Sequence, residues 1–431
     1  MKTDIIYKIL EDNNFSLSTD SRKVSAGEVF FALRGENFDG NSFAAEALEK
    51  GASVAVIDNP SYKTDNTIVV DNVIEALQAV ARKHRTRFNI PVLAITGSNG
   101  KTTTKELLAR VLAKDYRLHY TRGNLNNHIG VPLTILSCPA DTEFMIVEMG
   151  ASHKGEINIL CKIAKPAYGL ITNIGKAHLE GFGSLEAVAE AKSELYDYIE
   201  AEGGYVFYNE NNEHLNQLVR QRQLTSIPYT RPGEHTVKIL EINQNPNLEI
   251  SFQIDGIKYN YITNLFGLYN VENIVASLAI GLFFNISPVR MQGAIESYMP
   301  DNNRSQIFKT GKNTLICDSY NANPVSMLKS IQSFSEYPGD SKIVILGDMF
   351  ELGEYETAEH EEILNELATH DDMTVILVGK VFSSLARKYN MLAFESLEYL
   401  MKHLTDNPLR NSLILVKASR AMGLEKIYGL M

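Results

Sequence analysis

The chain has 431 residues, room for about three domains at the usual ~150 residues each, and its 44% hydrophobic and 22% charged content is ordinary for a globular core. A formal charge of −11 and a pI near 5.5 argue against broad binding to nucleic acid or anionic membranes. The cysteines, Cys138, Cys161 and Cys317, have neither metal-site nor disulfide-framework spacing, which suits a reducing cytosol. "MKTDIIYKILEDNN" lacks the apolar segment of a signal peptide, and the longest apolar stretch, "IVASLAIGLFF", is too short to span a bilayer. The expectation is a cytoplasmic monomer with no membrane span and no nucleic-acid partner.

Between residues 20 and 70, the runs "VFFAL", "ASVAVID" and "TIVVD", with a helical "SFAAEALEKGA" between the first two, predict a small α/β unit. "NVIEALQAVARKHRTRF" has helical periodicity and leads into a second region. There the runs "VLAIT", "FMIVEM", "YGLIT" and "GYVFY" alternate with helical stretches, as in a parallel sheet covered on both faces. From Val237 to Thr263 the pattern switches to alternation, with Asp255-Gly256 as a hairpin turn, and "NVENIVASLAIGLFF" closes the region as a helix. After Pro300 come "TLICDSYNANP", "KIVILGDMFELG", "TVILVGK" and "LILVKASR", each an apolar run ending in polar residues. Open α/β sheets bind ligands beyond the carboxyl ends of their strands. The domain boundaries expected are 1–86, 87–299 and 300–431.

The strand "VLAIT" runs into Gly97-Ser98-Asn99-Gly100-Lys101-Thr102-Thr103 and then a helix. Glycines in such a loop let backbone N–H groups approach phosphate oxygens at a helix N-terminus. Lys101, on an exposed loop, is then set to reach the β- and γ-phosphates, and the Thr102 hydroxyl to ligate Mg²⁺. The pattern G-x-x-x-x-G-K-[ST] is incomplete, because its first glycine would fall at Ile95. The competing reading is a chance glycine turn, which the strand before and the helix after disfavour. Glu148, at the end of the next strand, can serve as a metal-directed carboxylate, although a lone glutamate there is more often solvated. His178 ends another strand, where a lone histidine is more often structural. Asn126 and Asn127 in "TRGNLNNHIGVPLT" either shape a turn or offer amides to a polar substrate.

Together "GSNGKTTT", "NLNNHIGVPLT", "EMGAS", "TNIGKAHLEGFGS", "EAKSELY", "LYNVENIVAS" and "CDSYNANP" resemble, in order and over nearly the whole chain, the Mur ligase family of ATP-dependent amide-forming enzymes. "TDSRKVSAGEVFFALRGENFDGNSF" looks like a uridine-nucleotide domain, and "ILGDMFELG" like a C-terminal signature. The resemblance implies a small N-terminal α/β uridine-nucleotide domain, a central parallel-sheet P-loop ATPase domain and a C-terminal Rossmann-like α/β domain. It implies ATP-dependent joining of D-alanyl-D-alanine to a UDP-N-acetylmuramoyl-tripeptide in cytosolic peptidoglycan precursor synthesis, with two Mg²⁺ ions. A folate-directed relative would lack "TDSRKV", and the ligase adding the third peptide residue would carry an Asp-Asn-Pro-Arg type motif. An NTP-dependent switch would turn over nucleotide indifferently to the dipeptide, and intact Lys101, Glu148 and His178 argue against an inactive scaffold.

By position, the resemblance makes Lys101 and Thr102 the phosphate lysine and Mg²⁺ hydroxyl, and Glu148 and His178 further metal-site residues. Asn270 and Asn273 resemble adenine contacts, their alternative being a helix N-cap pair. Asp318 resembles the ribose contact, and Arg304 an arginine of the third domain that closes over ATP. Relatives carry Gly-Arg where this chain has Asn303-Arg304, and asparagine tolerates positive φ. Lys192, in "AEAKSELY", resembles a lysine that carries CO₂ as a carbamate and orients the second Mg²⁺. Carbamylation needs a neutral amine and so a depressed pKa, which Glu190 and Glu194 would oppose if close. Ser21 and Arg22, in "TDSRKV", are expected at the uridine diphosphate end. Asn321, Asn323, Lys417, Ser419 and Arg420 are expected around the dipeptide, whose free carboxylate calls for a cation or directed N–H donors.

Overall fold

The computed structural model describes residues 2–35, 37–230, 237–244 and 247–431. The three N-terminal runs join a short strand not expected from sequence, Leu17–Ser18, in a four-stranded sheet of order Leu17–Ser18, Val29–Phe31, Val54–Ile57, Thr67–Val69, parallel throughout. The helical stretch between its middle strands is realised as a short 3₁₀ turn, Gly40–Phe43, running into the helix Ala44–Glu49.

The helix Val73–Arg85 starts where the Asn72 side chain accepts the Glu75 N–H. Its apolar stripe (Val73, Ala76, Leu77, Val80 and Ala81) is buried between the N-terminal helix Lys2–Asp12 and the central helices Gly130–Leu136 and Glu156–Ala164. At its last residue the buried Arg85 guanidinium donates to the carbonyls of Ala164 (2.7 Å), Phe88 (2.5 Å) and Lys165 (3.3 Å). The junction between the first two sheets is therefore a fastened helix.

The central sheet runs Thr225–Pro228, Tyr205–Tyr208, Tyr168–Ile171, Val92–Thr96, Phe144–Glu148, Leu118–Tyr120, all parallel. Val92–Thr96 and Phe144–Glu148 are buried along their whole length, as strands covered on both faces must be. The chain leaves Val92–Thr96 toward one edge of the sheet and later returns to its other side. The loop after that strand thus opens at the topological switch point, where such sheets bind ligands. The alternating stretch becomes Leu248–Ile254 and Ile257–Ile262, with Asp255 (φ 50°) and Gly256 (φ 81°) both in the left-handed region that a two-residue primed turn requires. Lys238–Gln244 adds a third strand, and residues 245 and 246 of the same stretch lie outside the described residues.

The C-terminal sheet has the order Gln306–Lys309, Thr314–Cys317, Leu413–Lys417, Lys342–Gly347, Met373–Val378, Leu392–Phe394, parallel except for its first strand. Its strand ends face those of the central sheet across a cavity. The cysteines are free and buried, and burial pushes the Cys138 and Cys317 thiols up to about 11. Among the described residues no helix is long and apolar enough to cross a membrane.

Arg85→Ala would leave three carbonyls without their charge-assisted donor, at a cost of about 2–4 kcal/mol. Scanning calorimetry should show the transition of the first two sheets several degrees lower, whereas an unchanged thermogram would show that the helix is held by its apolar stripe alone.

Candidate active site

The loop after Val92–Thr96 is held from outside. Ser98 N–H donates to the Asn173 carbonyl (2.9 Å) and Asn99 N–H to the Asn173 side chain (3.0 Å). The Asn99 carbonyl accepts from Thr172 Oγ1 (2.6 Å) and Asn173 Nδ2 (3.0 Å). Gly97, at φ 140°, lets the loop pass so close that a Cβ there would lie 2.1 Å from Thr172 Oγ1. Gly100, at φ 81°, precedes the helix Lys101–Leu112 and abuts Asn273 in the same way. With the helix beginning at Lys101, the first N–H groups of that helix have no intrahelical acceptor and are available to an anion.

Lys101 is not the exposed lysine expected from sequence. It is half-buried, and its ammonium donates back to the carbonyls of Gly97 (2.6 Å) and Ser98 (3.2 Å). Burial lowers its pKa to about 8, assisted by nearby Arg304 and opposed by Glu148. The cause is physical: a short loop wraps the ammonium and strips its water.

Glu148 is 1% exposed. Its Oε1 accepts from Asn126 Nδ2 (2.8 Å) and Thr102 Oγ1 (3.2 Å), while Oε2 has no hydrogen-bond partner and faces the Lys105 ammonium at 3.5 Å. A buried carboxylate oxygen left without a hydrogen bond, beside a threonine hydroxyl, fits a hard, oxygen-ligated cation that takes its remaining ligands from phosphate and water. Among the described residues no cluster of three or more His, Cys, Asp and Glu could form a self-sufficient metal cage. Asn127 shapes a turn: its Oδ1 accepts the N–H groups of Ile129 and Gly130.

His178 sits at φ 54° and its Nδ1 hydrogen-bonds Glu351, itself at φ 63° in the third domain's "GDMFELG" loop. That bond holds the Glu351 carboxyl below the usual glutamate range. Next to it, Lys176 pairs with the buried Glu359 at 2.6 Å, and the Glu180 N–H donates to the Glu351 carbonyl at 3.0 Å. Lys192, from the helix Leu185–Glu202, is 1% exposed, donates to the Ala151 carbonyl (3.0 Å) and lies 5.2 Å from the centre of the Phe182 ring. It stands behind the cavity wall, which Ala151 lines. Burial, then the Lys101 charge, lower its pKa to about 7 against the opposing pull of Glu156 and Glu194. Glu194 is spent on the N–H groups of Gly155 (2.5 Å) and Asn158 (2.9 Å), and Glu190 pairs with Lys154.

Asn270 and Asn273 lie in the first turn of the helix Asn270–Phe283, but its cap is Tyr269 and neither side chain caps it. Asn270 Nδ2 donates to the Phe266 carbonyl (2.7 Å) and Ser305 Oγ (3.0 Å). Asn273 Nδ2 donates to Asn270 Oδ1 (2.8 Å) while its Oδ1 accepts the Thr104 hydroxyl (3.1 Å). The pair ties the loop helix to the start of the third domain. At that start Asn303 has φ 56°, the conformation for which asparagine substitutes for glycine, and the Arg304 guanidinium lies 3.7 Å from the Tyr320 ring centre with Nε unpartnered.

The C-terminal residues divide. Asp318 accepts from the Ser305 N–H (3.0 Å), the Ser330 hydroxyl (3.1 Å) and the Lys417 ammonium (2.6 Å). Lys417 places its other protons toward the carbonyls of Asp318 (3.4 Å) and Asn321 (3.3 Å), so this cation is neutralised within the domain. Asn323 caps the helix Pro324–Ser335 and its Nδ2 reaches Asn99 of the loop at 2.7 Å. Ser419 donates to the Ala322 carbonyl and accepts the Phe350 N–H, a knot between strand-end loops. Arg420 is exposed, pairs with Glu425 at 3.3 Å and donates its N–H to the Asn321 side chain.

A cavity of about 470 Å³ gathers Ser98–Thr103, Asn126, Asn127, Glu148, His178, Asn270, Asn273, Arg304, Asp318, Asn321, Asn323 and Lys417. Gly97, Lys192, Ser419 and Arg420 stand outside its lining, and so do Ser21 and Arg22. In the N-terminal unit Ser21 is buried with its carbonyl accepting from Lys50, and the exposed Arg22 pairs with Asp20 at 2.8 Å. Residues that sequence reasoning passed over are Asn173, Lys105, Tyr320 and Glu351. Each lies inside or beside a quoted motif, so position in the motif was the available signal, and the partner was not.

Three family models account for most of the chain: "Mur ligase family, catalytic domain" matches residues 16–95, "Mur ligase middle domain" 95–281, and "Mur ligase, glutamate ligase domain" 303–420. The chain is 34% identical to the UDP-N-acetylmuramoyl-tripeptide–D-alanyl-D-alanine ligase of Bacillus subtilis, over 95% of this chain and 92% of that protein. It is 36% identical to the ligase of the same name from Synechocystis, over 81% and 75%. Among solved structures, MurF from Acinetobacter baumannii superposes with a TM-score of 0.84 at 29% identity, covering 96% of this chain and 92% of that one. MurF ligase from Thermotoga maritima in complex with ADP gives 0.83 at 27%, covering 96% of each.

Gly97→Ala would force either the loop or Thr172 to move, at a cost of about 2–4 kcal/mol. A melting temperature lowered by several degrees is the expected result, and wild-type stability would show that the loop tolerates a side chain at this φ.

Proposed function

The chain belongs to the Mur ligase family, and we propose that it is the ATP-dependent ligase that adds D-alanyl-D-alanine to a UDP-N-acetylmuramoyl-tripeptide in peptidoglycan precursor synthesis. The observation that carries this reading is near-full-length identity to ligases of that name in a chain whose phosphate loop opens on a cavity between two sheets. The chemical problem is that a carboxylate resists an amine, because its carbon is electron-rich and oxide is a poor leaving group. Transfer of the γ-phosphoryl of ATP to the tripeptide's terminal carboxylate gives an acyl phosphate and ADP. Attack by the dipeptide amine then forms the amide and expels phosphate.

Side chains do little covalent work in such a sequence; positioning and charge neutralisation dominate. The helix start at Gly100–Thr103, with Lys101, cradles the phosphates, and Arg304 brings a stacked guanidinium to the same end. Thr102 and Glu148 would hold one Mg²⁺, and His178 with a carbamylated Lys192 a second, supplying charge neutralisation between anionic nucleophile and triphosphate. The depressed pKa of Lys192 supports the carbamate, since burial and the Lys101 charge favour the neutral amine that CO₂ requires. Asn270, Asn273 and Asp318 serve the nucleoside, in part by holding loop and third domain together. Ser21 and Arg22 serve the uridine diphosphate end, Arg22 exchanging Asp20 for a phosphate or uracil oxygen. The dipeptide lies against the third domain near Asn321 and Asn323, with Lys417 and Ser419 shaping its strand-end loops and Arg420 offering its guanidinium to the carboxylate. The domains proposed are 1–86, 87–299 and 300–431.

The reading predicts phosphate release that requires both the UDP-linked tripeptide and D-alanyl-D-alanine. Lys101→Ala should lower that turnover by about two orders of magnitude or more while the protein stays folded. Release indifferent to the dipeptide would overturn the ligase assignment. Because Lys101 starts with a pKa of about 8 and phosphate oxygens favour its ammonium, ADP binding above pH 8 should take up a proton. Calorimetry in buffers of different ionisation enthalpy measures this uptake, which should vanish in Lys101→Met.

For Lys192, the expectation is loss of activity in Lys192→Ala with partial rescue by formate or acetate. Full activity in rigorously CO₂-free buffer would remove the carbamate from the scheme.

A further inference from the structure

We infer that Glu351 is the residue that receives the positively charged amino group of the incoming dipeptide, an inference that rests on the ligase reading above. An amine nucleophile reaches the cavity as an ammonium, and a desolvated ammonium needs an anionic acceptor. The carboxylates lining the cavity are Glu148, Glu156, Glu272, Asp318 and Glu351. Glu148 is 1% exposed and faces Lys105. Glu156 is folded onto the N–H groups of Ser152 (2.7 Å) and His153 (3.0 Å). Glu272 is bonded to Asn209 (3.0 Å), and Asp318 is consumed by Ser305, Ser330 and Lys417.

Glu351 alone among these five is exposed. Its side chain is 58% exposed, and in its one side-chain hydrogen bond among the described residues Oε2 accepts from His178 Nδ1. It comes from the third domain, whose strand-end loops also carry Asn321 and Asn323. The backbone is committed to presenting it: Glu351 stands at φ 63°, its carbonyl accepts the Glu180 N–H, and the loop behind it is pinned by Met349 N–H to His360 and Phe350 N–H to Ser419. A non-glycine residue held in the left-handed region by this many bonds marks a position where geometry is used. Glu351 thus offers one oxygen to the ammonium while the other remains on His178, which places the dipeptide nitrogen at the boundary between the central and third domains, where it becomes nucleophilic once the ammonium has lost a proton to solvent.

The test compares two ligands on wild-type protein and Glu351→Gln, a change that keeps the shape of the side chain. D-alanyl-D-alanine carries the amino group, and propionyl-D-alanine has hydrogen in its place with amide and carboxylate kept. Loss of one charge-assisted hydrogen bond should raise KM for D-alanyl-D-alanine roughly 10- to 100-fold. Competitive inhibition by propionyl-D-alanine should stay within about twofold, as should ADP binding. Equal weakening of both dipeptide ligands would overturn the inference and make Glu351 a positioning residue for His178. An unchanged KM would also overturn it. Wild-type turnover that ignores D-alanyl-D-alanine would instead overturn the ligase reading, so the two failures are distinguishable.

Discussion

A glycine-containing loop has no means of holding its own shape, and the rest of this molecule is arranged around supplying that shape to residues 97–101. Glycine pays the largest backbone entropy on ordering, so an anion-ready conformation must be imposed by neighbours. Here the imposition is threefold. Thr172 and Asn173 grip the loop backbone from the adjacent strand end, Asn273 fills the space beside Gly100, and Asn323 reaches Asn99 from the third domain. The same strand end continues through Lys176 and His178 to Glu359 and Glu351. A displacement of the third domain is therefore felt at the phosphate end through contacts a few residues apart.

Charge placement follows from the same crowding. Two buried lysines are matched internally, Lys105 against Glu148 and Glu106 and Lys417 against Asp318. Leaving such a pair incomplete is costly, so each lysine fixes the position of its carboxylate. Lys101 and Arg304 have no carboxylate partner within ion-pair distance among the described residues, and each is partly stripped of water by loop or ring. In a chain of net charge −11, this concentrates positive potential where polyanions must be held and leaves the remaining surface acidic.

The long apolar runs were legible as strands because full burial on both faces leaves no choice of residue type. Strands that escaped notice, among them Leu17–Ser18, Leu118–Tyr120, Thr225–Pro228, Gln306–Lys309 and Leu392–Phe394, lie at sheet edges, are short, and mix polar with half-buried residues. The phosphate loop was legible through local spacing. Its lysine was misjudged as exposed, because enclosure of an ammonium by its own loop carbonyls is a three-dimensional event. The same holds for Asp318 with Lys417 and for His178 with Glu351: each partner sits in a recognisable motif, but nothing in either motif names the other. Asn303 was the reverse case, a departure from glycine whose positive φ the residue type itself foretold.

The burial of all three cysteines has a practical side. A thiol reacts through its thiolate, and groups that titrate near 11 or above, with no exposed sulfur, are close to inert toward maleimides at neutral pH. The sequence also contains no tryptophan. The native chain is thus a blank background for spectroscopy. Cysteines replacing exposed Phe38 and exposed Tyr399 would carry a dye pair with no native cysteine removed, and an indole placed beside the cavity would be the sole tryptophan emitter. Inter-domain distance can accordingly be followed by energy transfer in an otherwise unaltered enzyme.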